Sequence, residues 1–248
     1  MTAGSRLWTV QDWETAFFGT KTARVRSGRL GPGDDLTQAL AECRDDRVQV
    51  VHFLVEGDDD AGARAAEANG FHLVDVRVTL SWRAAGPSAV GNGQDALLLR
   101  PHRPEDVPAL RAIAGSSYFD TRYYHDGRYE QAQCAELYAT WIARSCDGMA
   151  ERVIVAERGG EVIGYISCHH PERSEEGKIG LVGVASAARG LGVGQGLVAA
   201  AQRWFKERRV ALVSVVTQGR NVAAQRLYQR AGFVTASTQL WYHRWLDR

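Results

Sequence analysis

Gly190, Gly192 and Gly194 stand at alternate positions between an apolar run and an amphipathic one. That order leaves room for little but a strand, a sharp turn and a helix. The stretch Lys178–Leu197 is read as a buried strand, a glycine turn and a helix continuing through Trp204 and Phe205. A helix start carries N–H groups without internal partners and a partial positive charge. Such an end holds a phosphate group without needing a lysine. The amides of Arg189, Gly190, Leu191, Gly192, Val193, Gly194 and Gln195 are therefore the candidate pyrophosphate site. A tight strand-to-helix turn with no ligand is the plainer alternative.

Two common phosphate motifs do not fit. A P-loop needs Gly-Lys followed by Ser or Thr, whereas Gln195 and Leu197 follow Gly194 and Gly196. A dinucleotide fingerprint needs a third glycine three residues on, where Gln195 and Leu197 stand, and an acid closing the next strand, which 211–217 lacks. Arg189, Gly192 and Gly194 do satisfy R-x-x-G-x-G. This resembles motif A of the GNAT superfamily of acyl-CoA N-acyltransferases. A second stretch, Asn221-Val-Ala-Ala-Gln-Arg-Leu-Tyr228-Gln-Arg-Ala-Gly232-Phe233, resembles the superfamily's N-x-x-A-x-x-L-Y-x-x-x-G-F segment. Asn221 and Tyr228 lie two helical turns apart and share a face. The resemblance implies an α/β (α+β) GNAT acyltransferase fold with a central mixed, splayed sheet. It also implies acetyl-CoA as cosubstrate, with pantetheine on the backbone of Val182, Gly183 and Val184 and against Asn221. Tyr228 is then the general acid, since a phenol of pKa about 10 is protonated at neutral pH.

Composition narrows the alternatives. The 248 residues suit one large or two small domains, and 45% hydrophobic content allows a substantial core. No apolar run reaches the length of a membrane span, and Met1–Val10 lacks the apolar segment of a signal peptide. A net charge of +1 speaks against a nucleic-acid partner. Cys43, Cys134, Cys146 and Cys168 have neither metal-site nor disulfide spacing, and the histidines form no metal pattern. The expectation is a cytoplasmic protein with no metal and no membrane partner.

The N-terminal third echoes the end of the chain. Arg47-Val48, Gly57, Arg64 and Gly70-Phe71 align without a gap on Arg209-Val210, Gly219, Arg226 and Gly232-Phe233. In this alignment Ala66 stands opposite Tyr228, Asp59 opposite Asn221 and Pro32 opposite Gly194. Residues 1–84 are thus expected to form a smaller, truncated and degenerate GNAT-like domain, with Pro32 removing a donor where phosphate would need one. Residues 85–95 read as a flexible linker and residues 96–248 as the catalytic domain.

Expected elements include helices over 35–43, 61–69, 107–114 and 132–144, and a hairpin around Gly159-Gly160. Residues 116–129 are read as a loop of aromatics and arginines suited to stacking on a base and pairing with phosphates.

A nearer resemblance follows from three elements. Trp13-Glu14-Thr-Ala-Phe17-Phe18-Gly19 looks like the E-x-x-F-F-G element of the dTDP-fucosamine acetyltransferase family. Thr121-Arg122-Tyr123, with Asp126 after it, is similar to that family's S-R-F element, and Leu137-Tyr138-Ala-Thr-Trp141-Ile142 to its L-Y-x-x-W-I. The resemblance implies acetyl transfer to the amine of a dTDP-linked 4-amino-4,6-dideoxy sugar. Phe17, Phe18, Arg122, Tyr123 and Asp126 are its implied substrate contacts, and Thr121 and Tyr123 are departures that bear on the sugar. No carboxylate on strand 178–184 offers itself as base, so water is the expected proton acceptor. Two other readings stay open: a GNAT protein acting on a peptide, a protein or another small amine, and a CoA-binding module without turnover. The aromatic last strand could also pair across chains in a homodimer.

Overall fold

Arg47 and Arg209 are the non-glycine residues, among those described, in the left-handed region, each at φ 57° and 162 positions apart (209 − 47). In this computed structural model, residues 6–86, 97–171 and 174–246 are described. Their first elements are β1 (Trp8–Val10), α1 (Asp12–Phe18), β2 (Thr22–Val25), α2 (Leu36–Asp45), β3 (Val50–Glu56), α3 (Asp60–Ala68) and β4 (His72–Arg83). There follow β5 (Leu98–Pro101), α4 (Val107–Gly115), α5 (Arg122–Asp126), α6 (Gln131–Arg144), β6 (Arg152–Arg158) and β7 (Glu161–His169). The chain closes with β8 (Glu176–Val184), α7 (Val193–Glu207), β9 (Leu212–Gln218), α8 (Val222–Arg230) and β10 (Val234–Trp245).

The residues sort into two compact units. The first holds Met1–Arg77, Thr121–Tyr129 and Ser237–Arg248; the second holds Val78–Asp120 and Glu130–Ala236. β4 and β10 each start in one unit and finish in the other. Of the expected linker, residues 87–95 lie outside the described residues, as does Ala96, the first residue of the expected catalytic domain.

In the first unit β1 pairs antiparallel with β2, β2 parallel with β3, and β3 antiparallel with β10 from Val50↔Trp245 to Glu56↔Gln239. Strand alternation sends Val51, Phe53 and Val55 to one face, where they pack with Leu36, Ala39, Leu40 and Cys43 of α2. Those helix positions follow the i, i+3, i+4, i+7 pattern of a buried stripe. Burying each large side chain stabilises by about 1.5–3 kcal/mol. The opposite face carries Arg24, His52 and His243 side by side on β2, β3 and β10.

The second unit contains a mixed sheet in the order β4-β9-β8-β7-β6-β5. β6 and β7 form the expected hairpin, with Gly159 and Gly160 both at positive φ. α7 covers the sheet with Leu197, Val198, Ala201, Trp204 and Phe205, all buried. No helix among the described residues is long and apolar enough to cross a membrane.

The internal repeat extends to element ends. Moving β3, α3 and β4 forward by 162 positions (212 − 50) reproduces the bounds of β9, α8 and β10. Hydrogen bonds repeat as well. Val48 N donates to Cys43 O at 2.8 Å and Val210 N to Phe205 O at 3.2 Å, while Phe71 N reaches Ala66 O and Phe233 N reaches Tyr228 O, both at 3.0 Å. Asp59 and Asn221 cap their helices from equivalent positions.

The copies differ at the preceding helix. α2 begins at Leu36, which corresponds to position 198 of α7, so Pro32 falls in the loop before it and costs the helix no donor. Instead the Asp35 carboxylate accepts from Thr37 N at 2.8 Å and Gln38 N at 3.1 Å, closing that helix end with a fixed anion.

Three elements, β1, β2 and α5, depart from the sequence reading. β1 and β2 are too short to show alternation. The expected loop 116–129 contains α5, ended by Gly127 at φ 81°. Within the chain, β10 pairs with β3 over Gln239–Trp245.

A left-handed L-residue costs about 1–2 kcal/mol, and glycine returns part of that gain through its unfolded-state freedom. Arg47 and Arg209 are both exposed. Arg47→Gly and Arg209→Gly are each expected to raise stability by about 0.5–1 kcal/mol. The check is the urea midpoint at unchanged m-value, and a lowered midpoint would refute the strain argument.

Candidate functional site

β8 and β9 run parallel from Glu176↔Leu212 to Ile179↔Val215, and there their pairing ends although both strands continue. An irregularity between β8 and β7 accompanies the parting. Ile166 faces Val182 but Cys168 faces Ile179, so β8 carries one residue more at Gly180-Leu181. Ser167 Oγ satisfies the displaced Leu181 N at 2.8 Å.

Beyond the bulge, Ala185 N donates to Ile163 O at 2.9 Å, which fixes the alternation of the antiparallel ladder. Gly183 therefore bonds toward Tyr165 on β7, while the amides and carbonyls of Val182 and Val184 point to the side β9 has vacated. Of the three expected pantetheine positions, these two present backbone groups there.

The glycine turn follows. Gly190 and Gly192 take φ of 78° and 75°, conformations that a side chain would resist. Gly192 is the N-cap of α7 and offers no side chain, and the first helical bond is Gly196 N to Gly192 O at 3.0 Å. The amides of Val193, Gly194 and Gln195 precede it and have no intrahelical acceptor. A Cβ on Gly194 would lie 3.2 Å from Leu227 of α8, so the two helices meet closely at the turn. Arg189 points back, its Nε 3.3 Å from Val184 O and its Nη2 3.3 Å from Ser116 O. Here the arginine braces the loop, and the anion-facing groups are main-chain N–H. Leu191 is exposed at the apex.

Asn221 uses its Oδ1 to cap α8, accepting from Ala224 N at 3.0 Å, which leaves its Nδ2 as the donor for a ligand. Tyr228 lies two turns further along the same helix face, 5% exposed, and burial raises its phenol well above the usual tyrosine value. Nearby sits a group the sequence did not announce. Tyr118 Oη donates to Val182 O at 3.0 Å and is 3.0 Å from Tyr165 Oη. Its single proton is spent on the carbonyl, so Tyr165 donates to Tyr118. Burial raises both phenols, and Tyr228 adds to the shift at Tyr118. Three protonated phenols thus gather by the open side of β8.

The expected acceptor-side residues assemble separately, inside the first unit. Arg122 is the hub. Its Nη2 donates to Glu14 Oε1 at 2.8 Å, and its Nη1 to His52 Nδ1 at 2.9 Å and His243 Nε2 at 3.4 Å. Its Cζ lies 4.1 Å from the Trp241 ring centre. Tyr123 Oη donates to the same Glu14 oxygen at 2.8 Å. Burial pushes the Glu14 carboxyl up, but Arg122 and the bonds it receives outweigh that and hold it well below the carboxylate range.

Both histidines are kept neutral, chiefly by burial: His52 well below its usual value and His243 down to about 4. Their tautomers follow from the arginine. His52 accepts at Nδ1 and so donates from Nε2 to Tyr129 Oη at 3.1 Å. His243 accepts at Nε2 and donates from Nδ1 to Asp126, which also takes the Trp245 indole N–H at 2.9 Å.

Phe18 packs on Tyr123 and Tyr129 with ring centres 5.1 and 4.6 Å away, while half-buried Phe17 stacks on Trp13 at 5.2 Å. Phe18, Tyr123 and Asp126 are consequently interior residues of this cluster. His52, Trp241 and His243 were missed because strand residues distant in sequence carry no local motif. Among the described residues no group of His, Cys, Asp or Glu is arranged to hold a metal ion.

Comparison with known proteins bears on this geometry. Residues 109–233 match the family described as Acetyltransferase (GNAT) family. The chain is 28% identical to the dTDP-fucosamine acetyltransferase of Escherichia coli O6:H1, over 94% of this chain and 95% of that protein. It is 31% identical to the spore coat polysaccharide biosynthesis protein SpsD of Bacillus subtilis, over 59% of this chain but only 50% of that one. A GCN5-related N-acetyltransferase from Sphaerobacter thermophilus superposes with a TM-score of 0.71 at 16% identity, covering 97% and 76% of the two chains.

The depressed Glu14 carboxyl makes stability depend on pH. Its contribution is complete above the unfolded value of about 4.3 and disappears as pH falls toward the lower folded value. Glu14→Gln is expected to cost about 3 kcal/mol at pH 7 by leaving Arg122 buried without its counter-charge. The difference from the parent should shrink below pH about 4. Denaturant melts across pH 3–8 measure it, and a difference independent of pH would contradict the assignment.

Proposed function

The chain belongs to the acetyltransferase (GNAT) family, and we propose that it moves an acetyl group from acetyl-CoA to the amine of a nucleotide-linked 4-amino-4,6-dideoxy sugar. The parting of β8 from β9 carries the acetyl-CoA half of this reading, because it offers backbone donors beside a helix start with no side-chain cap. The amides of residues 190–195 receive the pyrophosphate, that of Arg189 being engaged by Ser186 O. The vacated edge of Val182 and Val184 receives the pantetheine arm, with an amide there polarising the thioester carbonyl. The Asn221 amide group donates to the same arm.

The sugar half rests on the Escherichia coli protein, whose name is that of a dTDP-fucosamine acetyltransferase and whose length the chain nearly spans. The Bacillus subtilis protein, also named for saccharide biosynthesis, agrees. The first unit supports it with aromatic and guanidinium groups on one sheet face. On this reading that unit is a copy of the cofactor-binding half whose helix start is closed by Asp35 and whose phenol position is Ala66.

Chemically, the amine attacks the thioester carbonyl and must arrive neutral, because an ammonium has no lone pair. The carbonyl oxygen gains charge, which a β8 amide stabilises. Collapse expels the thiolate of CoA, and Tyr228 gives it a proton. Burial makes this phenol a weaker acid than a solvated one. Proton transfer is therefore driven by thiolate charge appearing in the same desolvated space. None of the nearby phenols can serve as base while burial keeps it protonated, so water takes the amine's proton.

Tyr228→Phe is expected to lower kcat by about 10²–10⁴-fold with little change in acetyl-CoA affinity. Thiol release against dTDP- and UDP-linked 4-amino sugars, with a lysine peptide as comparison, tests the substrate class. Turnover confined to the peptide would overturn it.

The rate should also rise with pH until the sugar amine is free, with no decline from Tyr228 in the range where the protein is folded. Steady-state profiles under chemistry-limited conditions provide the check, and a flat profile would count against direct attack.

A further inference from the structure

The arginine expected to meet the substrate's phosphates is already occupied. Both terminal nitrogens of Arg122 bond within the first unit, to Glu14, Tyr123, His52 and His243, and its flat face covers Trp241. Its side chain is only 12% exposed. A guanidinium so engaged is a poor phosphate ligand, because each new bond would replace an existing one.

Arg24 is in the opposite situation. It stands on β2 directly beside His52, on the polar face of the sheet, half-buried, with its Cζ 5.1 Å from the Trp241 ring centre. No hydrogen bond or ion pair to it is found among the described residues. Its charged neighbours are Arg122 and, less favourably placed to neutralise it, Glu14, which Arg122 and Tyr123 have already engaged. Arg77 lies within reach of its field. Arg77 is oriented by a relay in which its Nη1 donates to Gln239 Oε1 at 2.8 Å and Gln239 donates to Glu56 Oε1 at 2.7 Å. Of these three guanidiniums, Arg122 is matched by Glu14 and Arg77 faces Glu56 through that relay. Arg24 is left as an unmatched, partly desolvated charge, an arrangement that costs stability unless an anion completes it.

We propose that Arg24 receives the diphosphate of the nucleotide-linked acceptor, and that Arg122 is a positioning residue holding Trp241 and Glu14 beneath it. The inference rests on the substrate class proposed above. A planar guanidinium grips a phosphate through two parallel N–H bonds. The polar face of the first unit thereby acquires a use: it recognises the carrier of the sugar rather than the sugar.

The test compares the parent with Arg24→Gln, which keeps a polar stem, and Arg24→Lys, which keeps the charge but not the fork. Two acceptors are used: the dTDP-linked 4-amino sugar and the same sugar as its methyl glycoside, which lacks the diphosphate. Arg24→Gln should raise KM for the dTDP-linked sugar about 10–100-fold, the worth of one charge-assisted contact, with kcat within about twofold. Arg24→Lys should recover part of the loss, and kcat/KM for the methyl glycoside should be unchanged in both variants. Calorimetric binding of dTDP alone gives a readout apart from turnover, and should weaken in step. An unchanged KM and unchanged dTDP binding in a folded Arg24→Gln protein would overturn the inference. Failure of the parent to acetylate either sugar, with dTDP binding that still depends on Arg24, would overturn the proposed reaction and leave the diphosphate site standing.

Discussion

The end of the β8–β9 ladder at Ile179 and Val215 is the constraint on which the second unit's chemistry depends. A parallel pair that continued would spend its backbone groups on itself. Because it stops, Val182 and Val184 keep their amide donors on an unpaired edge, where Tyr118 and Arg189 reach their carbonyls. The bulge at Gly180-Leu181 makes the parting structural, since it changes which β8 groups face β7, and Ser167 closes the gap it leaves. Tyr118 fixes the Val182 carbonyl from the open side, so the neighbouring amide is held in direction as well as exposed. The glycine turn and α7 then bring a second set of N–H groups to the same end of the strand. A ligand with a diphosphate at one end and an amide-bearing arm at the other matches that sequence of donors.

The repeated strand–helix–strand unit shows which features the two copies share and where they part. Both copies keep the left-handed arginine, the capped helix and the same stop, because those features serve folding in either place. They diverge at the helix that should greet a phosphate. α7 starts at a glycine with no side chain to offer, whereas α2 starts under the carboxylate of Asp35. One helix end has no side-chain cap and the other is closed internally. The difference is a single capping side chain and the turn before it.

Much of this was legible because it is local. The glycine spacing gave the turn, the helical face joining Asn221 to Tyr228 gave the second motif, and the constant offset from Arg47 to Phe71 gave the repeat. What escaped was assembled by sheet register. Arg24, His52 and His243 are adjacent only because β2, β3 and β10 pair in one particular alignment, and no window of sequence contains two of those strands together with the third. Strands as short as β1 and β2 leave no periodicity to detect. The tyrosine group around Val182 escaped for the same reason, since Tyr118 and Tyr165 come from a loop and a strand far apart in the chain.

The arginines carry a more general lesson about charge. A sequence marks Arg122 as notable because aromatics and a second arginine surround it, and that density suggests a ligand. In the folded protein the same density means that the charge has been matched: a carboxylate, two neutral imidazoles and a phenol accept or face its donors, and an indole covers its plane. Burying a guanidinium requires such company, so a crowded arginine is evidence of internal use. Arg24 sits in an unremarked strand and has an indole beside it but, among the described residues, no acceptor for its guanidinium. Removal of Arg122 should therefore be felt in the fold before it is felt in substrate affinity, and removal of Arg24 in the reverse order.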